Sequence, residues 1–147
     1  MIELIPYEAA HLFELMEQGI IECCPSSSPY NIELAKSRED DIGSVTAVLD
    51  GQILACSGAK QVWPGVGELW ATFSPQVDDH KVEIARLTRT VLDDIMTLGK
   101  FHRIQCHVVS NFYRGLRMAQ FLGFDEEGIA RKYTMNAEDC YLFSIVR

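Results

Sequence analysis

The sequence predicts a mixed α/β domain of the α+β type, with a mostly antiparallel sheet of about six or seven strands and about four helices. Three observations carry this. Of 147 residues, 48% are apolar, so the chain is long and hydrophobic enough to bury a core of its own. Its apolar periodicity switches between two and 3.6 in the order β, α, α, β, β, β, α, β, α, β, β. Turn dipeptides join strand-like runs early and late, whereas a long helical run separates two strands in the middle, which is a β–helix–β crossover. Without an internal repeat, low-complexity tract or linker, residues 1–147 are read as a single domain.

The run Ile2 to Ile5 stops at Pro6 and reads as a strand. Tyr7 to Gln18 then places Ala9, Leu12, Phe13 and Met16 at helical spacing before Gly19. CCPSSSPYN is a loop, and Asn31 caps a second, charged helix through about Asp40 that belongs on the surface. Val45 to Leu49 and Ile53 to Ala59 are strands joined by Asp50-Gly51, a pair that favours a type I′ hairpin turn. PGVG at Pro64 to Gly67 is a turn or bulge, because no helix follows it directly. Glu68 to Phe73 is a strand, and a helix over residues 79–98 carries Ile84, Leu87, Val91, Ile95 and Leu98 along one face until Gly99 stops it. Arg103 to Val109 alternates as a strand, Asn111 to Leu122 is a helix with Gly123 as its left-handed terminator, and strands over 129–135 and 140–146 close the chain.

A net charge of −8 argues against a phosphate-backbone binder, so no nucleic-acid partner is expected. The N-terminus MIELIPYEAAHLFELME is acidic where a signal peptide is basic, and no apolar run approaches the roughly 18 residues of a membrane span. The expectation is a cytoplasmic protein without a membrane partner. Five cysteines lack CxxC or His spacing, which suggests neither a disulfide frame nor a metal site. Cys56, Cys106 and Cys140 read as core fillers, and Cys23 and Cys24, in a loop, as the pair open to oxidation.

GELWATFSP ahead of the long helix, and HRIQCHVVSNFYRGLRMAQFLGFDEEGIARKY after it, resemble the GNAT superfamily of acyl-CoA N-acyltransferases over nearly the whole chain. The most specific part is a strand, an Asn at a helix head, a helix ending in LGF, then EEG and an R-x-Y strand, Phe124 to Tyr133. Within the superfamily the chain is similar to small phage and prophage proteins, including internal virion proteins. The resemblance implies a sheet whose central parallel strands, Glu68 to Phe73 and Arg103 to Val109, splay to admit acetyl-CoA. It also implies that the strand end at Phe73 and Ser74 pairs with pantetheine, and that the loop and helix start at His80, Lys81 and Val82 hold the pyrophosphate.

The family pattern in that loop is Q/R-x-x-G-x-G/A, whereas this chain has Gln76, Val77, Asp78, Asp79, His80, Lys81 and Val82. Without glycine the backbone does not follow the same tight path. Asp78 or Asp79 would set a carboxylate against the pyrophosphate, a repulsion of roughly 1 to 3 kcal/mol, or about tenfold to a hundredfold in affinity. Asp79 also has an ordinary use as the helix N-cap, accepting from Lys81 or Val82.

Amine acetylation needs a base for the acceptor ammonium, donors for the oxyanion and an acid for the thiolate. The family's strand carboxylate falls at Glu68, which shares a face with Trp70 and Thr72, while Leu69, Ala71 and Phe73 face the other way. Glu68 is thus the candidate base, directly or through water, and a plain salt-bridged strand residue is the alternative. The family's tyrosine falls at Ala119, leaving Tyr113 as the substitute acid if the helix register differs. Asn111 matches the residue that heads the cofactor-side helix, and is also a natural N-cap. Arg117, with Arg114 three residues before it, could reach CoA phosphates or be solvated. His102 and His107 have no partner at nucleophile or metal spacing and are given no chemistry.

Two functions follow from the resemblance. One is transfer of acetyl from acetyl-CoA to an amine on a small molecule or protein, the acidic chain favouring a cationic acceptor. The other is a GNAT-like fold that has lost its cofactor and serves as a structural or interaction module, in a homodimer or among the proteins of a phage virion.

Overall fold

The computed structural model describes residues 1–19, 21–22 and 32–147. Cys23, Cys24 and the Asn31 cap lie outside the described residues. The strands are β1 (Glu3–Pro6), β2 (Ile21–Glu22), β3 (Ile42–Leu49), β4 (Gln52–Trp63), β5 (Val66–Phe73), β6 (Arg103–Val109), β7 (Asp125–Ala130) and β8 (Cys140–Val146). The helices are α1 (Ala9–Gln18), α2 (Ile32–Ser37), α3 (Lys81–Gly99) and α4 (Tyr113–Phe121). All strands belong to one sheet in the order β1-β3-β4-β5-β6-β8-β7, with β2 added on β5. Every pairing is antiparallel except β5 with β6, which α3 connects.

Alternation along β5 sorts its side chains between two cores. Leu69, Ala71 and Phe73 pack with Ile84, Val91, Leu92, Ile95 and Met96 of α3 and with Ile104, Cys106 and Val108 of β6. Trp70 packs on the opposite face with Leu12 and Leu15 of α1, Ala35 of α2 and Tyr7. Helices on both faces of a sheet account for the long apolar runs of β4 and β5.

Two hairpins are set by local chemistry. Asp50 and Gly51 both take positive φ, 50° and 78°, and join Leu49 to its partner Gln52, as an Asp-Gly type I′ turn requires. Pro64 and Gly65 join Trp63 to Val66, with Gly65 at φ 89°. The Gly65 carbonyl also accepts the N–H groups of His102 (2.9 Å) and Arg103 (3.1 Å), fastening the start of β6 to the start of β5.

Several boundaries differ from the sequence expectation. Pro75–His80 is a 3-10 segment, so α3 begins at Lys81 with His80 at its cap position and no side-chain cap; Asp79 is not the N-cap. The helix includes Gly99 and ends at Lys100, which takes φ 50° itself. Leu98 is exposed, and the buried stripe runs through Leu92 and Met96 instead. Helix α4 starts at Tyr113 with Phe112 at its cap, so Asn111 lies in the preceding turn and does not cap it. The expected strand over 129–135 is β7 at Asp125–Ala130, and residues 131–139 form a turn held by Tyr133 N–H to the Glu138 carbonyl (2.8 Å) and Ala137 N–H to the Thr134 carbonyl (2.9 Å). The acidic DEEG run lacks the alternation that would have revealed β7. The second helix is not a surface element throughout: Ala35 is buried, and the adjoining Arg38 is 3% exposed with its guanidinium 4.2 Å over the Trp70 ring.

Candidate active site

The centre of the sheet opens as a wedge. β5 and β6 pair only at Val66 with Arg103, Gly67 with Ile104 and Glu68 with Gln105, then diverge. Their N-terminal ends are fastened by the Gly65 carbonyl, and their outer edges are occupied by β4 and β8 along most of their length. The ladder can therefore part only at the carboxyl ends, the place where open sheets with crossover helices commonly receive ligands. β2 pairs with Phe73 and Thr72, whose other edge β4 already holds, so β2 lies on the wedge side at the far end of β5. The open edge of β5 is the stretch Leu69 to Ala71.

A polar network crosses the α1 face at the head of the wedge. Glu68 Oε1 lies 2.9 Å from His107 Nδ1, and Glu68 Oε2 accepts from Gln105 Nε2 at 2.8 Å. Gln105 Oε1 accepts from Arg103 Nε at 2.9 Å, and both terminal Arg103 nitrogens donate to Glu127 at 2.8 Å. Ser144 donates to the same Glu127 carboxylate. Register explains the convergence. Gln105 is the Cα partner of both Glu68 and Ser144, so the three share a face, and the β7 register shift between Glu126 and Gly128 turns Glu127 towards them. The Arg103 and Ser144 hydrogen bonds hold the Glu127 carboxyl down to about 2. The Tyr133 ring stacks on His107 with centroids 4.2 Å apart and planes 11° from parallel. Burial, then the negative charge of Glu68, pushes the Tyr133 hydroxyl above its ordinary value.

The α3 face carries a cavity of about 240 Å³ between the 3-10 segment, the start of α3 and α4. Phe73, Phe112 and Met118 supply apolar wall, and Asp78, Lys81, Arg114 and Arg117 supply charge. Asp78 and Arg114 form an ion pair of 2.7 Å across it. Gly115 lies where α4 crosses β6, and a Cβ there would approach Val108 and Phe112 within 2.8 Å. Where the family's glycine loop is expected, the 3-10 segment turns its amides inward, as in Val77 N–H to the Ser74 carbonyl at 3.1 Å.

The structure gathers some of the sequence candidates and disperses others. Glu68 stands at the head of the wedge, and Phe73, Lys81 and Arg117 line the cavity. Ser74 is fully buried and committed elsewhere: its N–H donates to the Leu54 carbonyl, and its hydroxyl donates to Gln18 and accepts from Gln76 N–H. His80, Val82, Asn111 and Tyr113 do not line the cavity, and Tyr113 is 68% exposed. Ala119 is buried against the core. Asp79 is exposed and outside the cavity, so one carboxylate faces it rather than two. His107, given no task from sequence, is the direct partner of Glu68. The visible signal was that His107 and Gln105 share a strand face; which residue of β5 they meet depends on register, and spacing within β6 does not contain it.

Cys56, Cys106 and Cys140 are buried. Burial raises the Cys56 thiol to about 11, and burial followed by Glu138 and Asp139 does the same for Cys140, so neither is a thiolate nucleophile at neutral pH. Among the described residues no cluster of His, Cys, Asp and Glu could hold a metal ion.

No family model matches the chain, and neither does any curated protein sequence. Solved structures do. The ribosomal-protein-S18-alanine N-acetyltransferase from Escherichia coli superposes with a TM-score of 0.76 at 16% identity, covering 99% of this chain and 94% of that one. The acetyltransferase of GNAT family from Streptococcus pneumoniae gives 0.76 at 16%, covering 99% of each chain. The NatC complex bound to Gag peptide and CoA gives 0.76 at 14%, covering 99% and 98%. The chain has the GNAT acetyltransferase fold. The narrower likeness to phage proteins gains no support from these structures.

Proposed function

We propose that the chain is an N-acetyltransferase that moves an acetyl group from acetyl-CoA to an amine. The observation that carries this is the wedge, with the carboxylate of Glu68 at its head and a cationic cavity behind its carboxyl end.

The residues around the cavity fit an anionic cofactor. Lys81, Arg114 and Arg117 bring three positive charges against one from Asp78, a local surplus of two in a chain of net charge −8. The missing glycines shift the task of holding phosphate from main-chain donors to these side chains. Phe73, Phe112 and Met118 offer apolar contact to the uncharged part of such a ligand. When bound, acetyl-CoA supplies a thioester carbonyl for attack by the acceptor nitrogen. The proton lost by the acceptor ammonium leaves towards Glu68 and its hydrogen-bonded partners, on the opposite face from the cavity. A cationic amine suits an acidic protein, and the acceptor is a small molecule or a protein amino group.

Isothermal titration with acetyl-CoA tests this. Saturating heat that weakens in Lys81→Ala and Arg117→Ala is expected, followed by CoA release when primary amines are added. Absence of heat at high micromolar ligand defeats the proposal. It would leave a catalytically inactive interaction module, the reading favoured by the Asp78–Arg114 pair and by β2 on the wedge edge of β5.

A further inference from the structure

Among the hydrogen-bonded partners of Glu68 at the head of the wedge, His107 carries a titratable ring. We infer that His107 Nε2 is the atom that takes the proton from the acceptor ammonium, with Glu68 as the carboxylate that orients and charges the imidazole from behind. This rests on the acetyltransferase proposal and assigns the proton-accepting atom within it.

The polarity of the network fixes the tautomer. Arg103 can only donate, so the Gln105 group 2.9 Å from its Nε must be the amide oxygen. The Gln105 NH2 then faces Glu68 Oε2, and the carboxylate accepts there. With Glu68 ionised both of its oxygens can only accept, so the hydrogen between Glu68 and His107 belongs to Nδ1. Nε2 is left with its lone pair and has no hydrogen-bond partner among the described residues. The anchor is Arg103, itself clamped in two places by Glu127.

Position agrees with this polarity. His107 is the first residue of β6 on the Glu68 face beyond the last β5–β6 pair, so its ring stands where the strands part. Its side chain is 13% exposed, and Tyr133 holds the ring plane from the 131–139 turn. Glu68, by contrast, has both oxygens already engaged. The titratable groups around the imidazole are Glu68 on β5 and Tyr133 on the turn, with Cys140 of β8 next to Tyr133, Lys60 of β4 opposite Glu68 and the Arg103–Glu127 pair further along the network.

The protons balance. The ammonium gives one to Nε2, becoming a neutral amine, and the imidazolium is held by Glu68. The amine lone pair forms the C–N bond, the C–S bond breaks with its electrons on sulfur, and the second nitrogen proton ends on the thiol. His107 then releases its proton to solvent.

The pH dependence of kcat/KM for CoA release, with acetyl-CoA and the best of a panel of primary amines, separates His107 from Glu68. The wild type should show an ascending limb as the proton acceptor loses its own proton. His107→Gln should abolish that limb and lower the rate by about 10² or more. Glu68→Gln should retain the limb but move it to lower pH, since the imidazolium loses its counter-charge. The reverse pattern, in which Glu68→Gln abolishes the limb and His107→Gln only displaces it, overturns the assignment. So does ¹⁵N NMR showing neutral His107 protonated on Nε2. His107→Gln should bind acetyl-CoA as the wild type does, because the cavity lies across the sheet. Binding without CoA release from any amine overturns the role of His107, whereas absence of binding overturns the acetyltransferase proposal itself.

Discussion

Asp78, in the 3-10 segment after β5, and Arg114, in the first turn of α4, reach across the cavity mouth to form an ion pair of 2.7 Å. Their side chains are 34% and 51% exposed, so the pair itself stabilises the fold by about 1 kcal/mol at most. Its larger effect is on ligand charge. Asp78 both occupies Arg114 and repels an incoming phosphate, and relief of one such repulsion amounts to roughly 1 to 3 kcal/mol at intermediate dielectric. Asp78→Asn should therefore bind acetyl-CoA about tenfold more tightly by isothermal titration, with little change in melting temperature. Equal or weaker affinity would show that Arg114 does not meet the ligand.

Tyr133 contributes through its ring face. A stacked pair adds about 0.5 to 1.5 kcal/mol beyond burial, and here it fixes the plane of the His107 imidazole. Tyr133→Phe keeps the face and should retain nearly full turnover, whereas Tyr133→Ala should lower kcat by about three- to tenfold with acetyl-CoA affinity unchanged. A large loss in the Phe variant would instead give the hydroxyl a chemical role.

What could be read from the sequence follows from the range of the forces involved. The Asp50-Gly51 turn, the alternation of β5 and the crossover helix are local patterns, and all three stand in the fold. The placement of Glu68 with Trp70 and Thr72 needed only a period of two. The partnership of Glu68 with His107, 39 residues away, required the parallel register, and that is set by a hairpin carbonyl at Gly65 rather than by either residue. The ion pair of Asp78 with Arg114 was equally hidden, since it spans two elements that meet only after α4 packs on β6. β7 was misplaced because its bulge and acidic run break the pattern that identifies a strand.

The Arg103–Glu127 contact should appear in acid stability. The Glu127 carboxyl falls from 4.5 to about 2 on folding, chiefly through Arg103 and then Ser144. A depressed folded value means stabilisation that is complete above the unfolded value and is lost as pH falls from about 4.5 towards 2. Glu127→Gln should be less stable than the wild type at neutral pH, and the two should converge across that acid window. Urea midpoints measured at intervals from neutral pH to about 2 check this. A gap that stays constant down to pH 2 would mean the contact is steric rather than ionic.

Gly65 decides whether the wedge has a firm base. It holds φ 89°, a conformation that L side chains rarely adopt, and a Cβ there would come within 2.2 Å of the His102 ring. The ring clash is cheap to relieve because His102 is exposed and can turn away; the backbone strain is not. Gly65→Ala should thus cost about 1 to 3 kcal/mol in stability, and most of that loss should persist in a His102→Ala background. The Gly65 carbonyl also accepts the N–H groups of His102 and Arg103, so those two amides should exchange hydrogen faster in Gly65→Ala while the amides of α3 change little. Arg103 is the anchor of the network that orients Glu68, and the same variant should lower turnover more than it lowers acetyl-CoA affinity. If Arg103 stays protected and turnover holds, the β5–β6 register is fixed by the packing of Ile104 and Phe101 against α3, and the Gly65 carbonyl is a consequence of the wedge rather than its fastening.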